Sequence, residues 1–251
     1  MNDARTLIYD GSFNGFLTAV HEAFERKISV ADIEPNDRAQ ASLFTVTEII
    51  FTQVRKAQQV WEVLQRRNYH AMAHAYFAFL GGAPQMEMPL YTYIVKVLKA
   101  GTHGRLDHSD TTVQAVEQWA RQVGNEKQRA EATIRFKKSG DGVFCAALSP
   151  TSDLLPLLTK HFRKRMKHLP WLLFDEKRKY GMYCNGSTVE KVALALDDVY
   201  RPLEYVQNPI SGPSTKKHPW DDFFGNTEII PRIKGKVHGT SLAPKTEPLS
   251  Q

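Results

Sequence analysis

The spacing of apolar residues changes once along the chain, near residue 132, and this change constrains the fold more than any other feature. Before it, apolar side chains recur at helical spacing, as in Phe13, Phe16, Leu17 and Val20. After it, apolar and polar residues alternate in short runs that are separated by turn signals. Helices that mostly precede strands in this way predict an α+β fold rather than alternating βαβ units.

Two β-hairpins are predicted in the second half of the chain. Residues 139–142 read Ser-Gly-Asp-Gly and permit the positive φ angles of a tight turn, so we expect strands at residues 133–136 and 143–148. A second pair of strand-like runs, 170–174 and 180–184, flanks another turn, and a helix is expected from Asp153 onward between the hairpins. The prediction is a mostly helical N-terminal half, followed by a small antiparallel sheet of two hairpins that flank a helix.

The domain organisation follows from length and composition. The 251 residues can bury a sizeable core, and we predict a single α+β domain over residues 1–232. Its helical part spans about 12–131 and its hairpin-helix-hairpin part about 132–200, whereas residues 233–251 resemble a flexible tail. The N-terminus has no apolar signal-peptide core, and no apolar run approaches the ~20 residues of a membrane helix. We therefore predict a cytoplasmic protein without membrane contact.

Cysteines and histidines indicate no metal or cofactor site. Cys145 and Cys184 are too few for a disulfide framework or a four-thiolate site, and we expect reduced, buried thiols, with a single bridge between them as the alternative. His70 and His74 have a metal-compatible spacing of four residues, but the Glu of the zincin motif is missing between them. We predict neither a metal ion nor a cofactor.

Positive charge is concentrated between Lys127 and Lys179. This stretch holds 13 Lys and Arg against 5 Asp and Glu, a net charge of +8, whereas the whole chain carries +6. A local cationic surface is typical of proteins that bind nucleic acid, although cations also complement the C-terminus of a helix and protect strand edges. Trp171 and Tyr180 are the candidates for base stacking. Phosphate contacts are predicted for Arg129, Arg135, Lys137, Lys138, Lys160, Arg163, Lys164, Arg165, Lys177, Arg178 and Lys179.

Catalytic motifs of comparable strength are missing from the sequence. It contains no Gly-rich phosphate-binding loop and no Ser nucleophile elbow. His161, Asp175 and Arg178 are weak catalytic candidates, because they lie among the basic residues. The sequence thus indicates a class of partner more clearly than a reaction.

Several sequence blocks, spread over roughly residues 7–232, share the pattern of one bacterial family. The most specific are residues 9–20 (YDGSFNGFLTAV) and 170–183, and weaker blocks occur at 126–129, 149–157 and 220–224. With these blocks the chain resembles a family of unknown function labelled "probable DNA metabolism protein". Members of that family occur beside a radical-SAM protein associated with DNA modification or repair, or are fused to a uracil-DNA glycosylase-like domain.

The resemblance implies an accessory role in DNA metabolism. DNA and a radical-SAM or uracil-DNA glycosylase-like protein are the partners that it implies, and the module would bind nucleic acid for that partner enzyme without chemistry of its own. The family has no established reaction, so no catalytic residue is carried over. One alternative is a protein–protein adaptor without DNA contact, which docks a repair enzyme through the aromatic-rich helices of residues 53–100. The other is a glycosylase- or nuclease-like enzyme acting on nucleic acid.

Overall fold

The computed structural model describes residues 4–39, 46–100, 106–140 and 142–193. These residues belong to two compact units. The N-terminal unit contains residues up to 133 together with 150–158, and the C-terminal unit contains 134–149 and 159–193. The predicted flexible tail, residues 233–251, lies outside the described residues. The predicted α+β class is confirmed, since the described part of the chain combines helices with two small sheets.

The N-terminal unit pairs a small parallel sheet with most of the helices. Its elements are β1 (Arg5–Tyr9), α1 (Phe13–Glu25), β2 (Val30–Pro35), β3 (Val46–Ile49), α2 (Val54–Arg67), α3 (Tyr69–Gly81), α4 (Glu87–Lys99) and α5 (Thr111–Thr133). The strand order is β2-β1-β3, and β1 runs parallel to both neighbours. Because α1 carries the chain from β1 to β2, these elements form a βαβ unit. The helical spacing of Phe13, Phe16, Leu17 and Val20 predicted α1, but the sequence did not predict β2.

Side chains hold the turn between β1 and α1. Ser12 caps the helix, since its Oγ accepts a hydrogen bond from the Gly15 N–H at 2.9 Å. Asp10 accepts from the Ser12 N–H at 3.0 Å and Oγ at 2.6 Å, and from Thr52 Oγ1 at 2.8 Å. Burial raises the pKa of Asp10, but these hydrogen bonds outweigh burial and hold its pKa below the ordinary value. A Cβ at Gly15 would lie 2.2 Å from Asp10 Oδ1, so this approach requires glycine.

The helices of the N-terminal unit pack through the apolar faces that the sequence predicts. Val113, Val116, Ala120 and Val123 on α5 are all buried, and α5 packs along α3. Helix α4 begins at Glu87 and contains Pro89 in its first turn. Several aromatic side chains of residues 53–100 belong to the core, because Trp61, Tyr76 and Phe77 are at most 5% exposed.

The C-terminal unit is a five-stranded sheet with one helix. Its elements are β4 (Lys137–Lys138), β5 (Phe144–Leu148), α6 (Leu155–Arg165, of which residues 159–165 belong to this unit), β6 (Trp171–Asp175), β7 (Tyr180–Cys184) and β8 (Val189–Ala193). The strand order is β4-β5-β6-β7-β8. Both predicted hairpins are confirmed, since β4 pairs antiparallel with β5, and β6 with β7. The expectation of a purely antiparallel sheet is wrong, because α6 returns the chain so that β5 and β6 run parallel.

The first hairpin is shorter than predicted. The strand expected at residues 133–136 is absent, because α5 continues to Thr133 and β4 contains just two residues. Phe136 packs instead against Phe162 and Trp171, with ring centroids 5.0 and 6.5 Å away. Phe136 is half-buried in this packing. Strand β8 was not predicted.

Candidate nucleic-acid interface

The register of the C-terminal sheet divides the predicted cations into two groups. Lys138 pairs with Phe144, which pairs with Trp171, and five residues separate the end of α6 from Trp171, the first residue of β6. The turn between β6 and β7 lies at the opposite end of β6, where Asp175 pairs with Tyr180. Five residues of strand separate these ends by roughly 13 Å. The helix-end cluster is defined as Lys137, Lys138, Arg163, Lys164, Arg165 and Lys167. The turn cluster is defined as Lys177, Arg178 and Lys179.

Every member of the helix-end cluster is exposed. The C-terminus of α6 carries the equivalent of about half a negative charge, which favours cations there. That partial charge cannot account for six positive side chains at one end of the sheet. Lys160, also predicted, is half-buried about a turn and a half earlier on α6. Five of the six cluster members are among the predicted phosphate contacts, and Lys167, which belongs to the same basic stretch, lies just beyond α6.

The turn cluster is differently arranged. Asp175 is fully buried, and its Oδ1 accepts hydrogen bonds from the backbone N–H groups of Lys177 and Arg178 at 2.9 and 3.0 Å. Its Oδ2 accepts from the Arg178 guanidinium at 3.0 Å. Lys179 closes the turn with a φ angle of 56°, in the left-handed region. Arg178 is therefore held by the protein's own carboxylate, while Lys177 and Lys179 remain exposed.

The catalytic candidates do not form an open acid–base site. Asp175 has no exposed surface, and both of its oxygens already accept hydrogen bonds within the turn. His161, on α6, packs its ring edge-on against Phe162 with centroids 4.9 Å apart. Asp175 and Arg178 thus hold a turn in the described structure, and this geometry assigns them no reaction.

The aromatic stacking candidates lie in the core of the sheet. Trp171 is 0% exposed and Tyr180 is 8% exposed. The Lys191 ammonium lies 4.1 Å from the centre of the Tyr180 ring. Base stacking requires an accessible ring face, so the described structure does not fit the stacking prediction for Trp171, and it leaves Tyr180 little free surface.

The remaining predicted arginines belong to different units. Arg135 is exposed in the C-terminal unit, where its guanidinium donates to the Ile134 carbonyl at 3.2 Å. Arg129 lies on α5 in the N-terminal unit, where it lines a cleft with Trp119, Gln122 and Glu126. The sequence reading did not single out this cleft. The sequence feature that could have indicated the cleft is the spacing of these four residues, which places their side chains on one face of a helix.

Charge is distributed unevenly between the units. The described residues of the C-terminal unit include twelve Lys and Arg against three Asp and Glu, a net charge of +9. Those of the N-terminal unit include thirteen against fifteen, a net charge of −2. The cationic character therefore belongs to the C-terminal unit.

The cysteines are buried, as predicted, and they form no disulfide bond with each other. Cys145 lies on β5 and Cys184 on β7. Strand β6 lies between their strands, so their backbones are about two strand spacings, or roughly 10 Å, apart. That distance exceeds the reach of a disulfide bond.

No group of three or more His, Cys, Asp and Glu side chains among the described residues is arranged to hold a metal ion. No helix in the described part of the chain is both long enough and apolar enough to cross a membrane.

Together, the fold and the site define an α+β protein with a strongly cationic five-stranded unit. A family model described as a domain of unknown function, DUF4130, matches residues 84–246, more than half of the chain. The chain therefore belongs to the DUF4130 family. No curated protein and no solved structure matches it.

Proposed function

We propose that this protein is a nucleic-acid-binding accessory protein of DNA metabolism, and that its helix-end cluster contacts phosphates. The observation that carries the proposal is the placement of six exposed cations at one end of one sheet, in a unit with a net charge of +9. Phosphate contacts of this kind give affinity and orientation without reading sequence. The family resemblance supplies the DNA-metabolism context, in which a radical-SAM or uracil-DNA glycosylase-like enzyme would act on the bound DNA.

The turn cluster contributes less to the proposed interface. Arg178 already pairs with buried Asp175, which satisfies part of its guanidinium. Lys177 and Lys179 lie at the other end of β6, roughly 13 Å from the helix-end cluster. These two lysines therefore offer a matched control for the proposal.

The test is fluorescence anisotropy of labelled single- and double-stranded DNA at several salt concentrations between about 50 and 200 mM. Two double variants of the full chain, Lys164→Gln/Lys167→Gln and Lys177→Gln/Lys179→Gln, each remove two exposed lysines. Each lost phosphate contact reduces the slope of log affinity against log salt by about one. We expect a reduction of about two for the first variant and little change for the second.

The outcomes separate three cases. If the DNA affinity of the unmodified protein depends steeply on salt, and this dependence is reduced in Lys164→Gln/Lys167→Gln, the assignment of phosphate contacts to the helix-end cluster is supported. Equal effects of both variants would place the turn cluster in the interface and overturn the assignment to one end of the sheet. Absence of DNA binding by the unmodified protein at about 50 mM salt would overturn the proposed function itself.

The adaptor alternative receives less support from the described residues. The aromatic side chains of α2 and α3 that suggested docking include Trp61, Tyr76 and Phe77, which are buried. Four of the six exposed large apolar side chains in the described residues lie between the start of β3 and the start of α2, and Phe51 is the most exposed of them at 80%. Co-purification with a partner enzyme that persists without DNA binding would favour the adaptor function.

A further inference from the structure

The N-terminal unit contains a cleft that the phosphate-binding proposal does not use. The cleft has a volume of about 290 Å³. One face of α5 provides Trp119, Gln122, Glu126 and Arg129, and the segment before α6 provides Thr151 and Ser152. All of these residues belong to the N-terminal unit. The volume lies near the lower end of the range for small-molecule sites, which suits a ligand no larger than a nucleotide.

The walls of the cleft are fixed by hydrogen bonds. The Glu126 carboxylate accepts from the backbone N–H of Thr151 at 2.6 Å and from that of Ser152 at 3.0 Å. The Asp153 N–H donates to the Leu80 carbonyl at 2.8 Å, which ties the same segment to the end of α3. These three bonds hold the segment against α5 and α3 without help from a ligand. The cleft is therefore preformed, a property that lowers the cost of binding.

The order of side chains along α5 matches the parts of a nucleotide. Trp119 is half-buried, so its indole has a surface in the cleft. Gln122 follows one turn later and carries an amide that both donates and accepts hydrogen bonds. Arg129 lies at the far end, about 15 Å along the helix axis from Trp119, and its exposed guanidinium suits a phosphate.

We propose that this cleft binds one unstacked nucleotide. The base stacks on Trp119, its edge bonds to the Gln122 amide, and its phosphate binds Arg129. Stacking on an aromatic side chain is a common way to hold an exposed base. The choice of a nucleotide as ligand rests on the proposed function, but the site is separate from the helix-end cluster and is testable without it.

The experiment titrates the full-length protein with the 5′-monophosphate of 2-aminopurine riboside, whose fluorescence is quenched when it stacks on an indole. We expect quenching by the unmodified protein. Trp119→Ala should abolish the quenching and weaken binding about tenfold or more, whereas Trp119→Phe should retain part of the affinity. Trp61 and Trp171 are buried, so neither offers a competing stacking surface among the described residues.

Matched arginine variants test the phosphate contact. Arg129→Gln should weaken binding several-fold, whereas Arg121→Gln, an exposed arginine of the same helix that does not line the cleft, should not. Thermal unfolding of each variant shows whether it remains folded. The Trp119→Phe variant keeps the test valid if Trp119→Ala does not fold.

The outcomes for the two proposals are distinguishable. Lys164→Gln/Lys167→Gln should leave binding of the mononucleotide unchanged, because those lysines belong to the other site. No quenching by the unmodified protein, or equal quenching by Trp119→Ala, would overturn the nucleotide cleft even if salt-sensitive DNA binding is retained. Quenching that depends on Trp119, together with an absence of DNA binding, would overturn the proposed function and leave the nucleotide cleft supported.

Discussion

At the scale of single residues, Asp10 links the first turn to the acid stability of the N-terminal unit. The pKa of Asp10 is lowered in the folded protein. Ionised Asp10 therefore stabilises the fold at pH values above its unfolded-state pKa of about 3.9. This contribution to the free energy of unfolding disappears as the pH falls through the folded-state pKa. We expect Asp10→Asn to lower the free energy of unfolding by about 1 kcal/mol at pH 7. The difference should shrink below about pH 4.

Urea unfolding at pH 7 and at several acidic pH values checks this expectation. Asp37→Asn is a suitable control, because Asp37 is an exposed aspartate of the same unit, and its loss should change the free energy of unfolding by less than about 0.5 kcal/mol. A difference between the wild type and Asp10→Asn that stays constant down to acid pH would contradict the linkage between Asp10 ionisation and folding.

Asp175 is the second residue with a clear energetic role. Its removal leaves two backbone N–H groups of the turn and the Arg178 guanidinium without this buried carboxylate. We expect Asp175→Ala to destabilise the protein by about 3 kcal/mol. Thermal or urea unfolding measures the loss, with Glu190→Ala, an exposed acidic residue of the same unit, as the control. A variant as stable as the wild type would show that Asp175 does not hold the turn.

The burial of Trp171 shows why sequence patterns identify charged surfaces better than aromatic ones. Lysines and arginines are mostly exposed in folded proteins, so the exposure of the helix-end cations could be predicted from residue type alone. The residue type alone does not indicate whether an aromatic side chain in a strand is exposed or buried. In β6, every residue is buried. A strand buried on both faces loses the alternation that would have indicated which side chains reach solvent.

At the scale of elements, the pairing of β6 with β7 makes a specific prediction about a glycine. A Cβ at Gly181 would lie 3.0 Å from Leu172 Cδ1 and 3.1 Å from the Leu173 carbonyl oxygen. We expect Gly181→Ala to cost about 1–3 kcal/mol of unfolding free energy through overpacking. Gly140→Ala is the matched control, because no atom lies within 4 Å of the corresponding Cβ. Equal stabilities of the two variants would contradict the described packing of β7 on β6.

The pairing of strands that are distant in the chain is the part of the fold that could not be predicted from the sequence. Local signals predicted both hairpins, because the residues that pair are close in the chain. The parallel pair of β5 and β6 and the β2-β1-β3 sheet join strands that are distant in sequence, and no turn motif marks such a contact. β2 is further obscured by its sequence VADIEP, whose Asp, Glu and Pro residues have low strand propensity.

At the scale of the whole molecule, the net charge of +6 conceals two units of opposite character. The described C-terminal unit carries +9 and the described N-terminal unit −2. The N-terminal unit also pairs many of its own charges, as in the contacts of Lys56 with Glu22 and Glu25 at 2.6 and 2.7 Å. Long-range attraction of a polyanion should therefore be directed to the C-terminal unit.

This charge distribution sets an upper limit on the salt dependence of DNA binding. If the six cations of the helix-end cluster supply the phosphate contacts, the slope of log affinity against log salt should not exceed about 5 in magnitude for duplex DNA. Arg55→Gln/Arg66→Gln, which removes two exposed cations of the N-terminal unit, should leave that slope unchanged. A steeper slope in the unmodified protein, or a reduced slope in this variant, would show that residues beyond the helix-end cluster also bind phosphates.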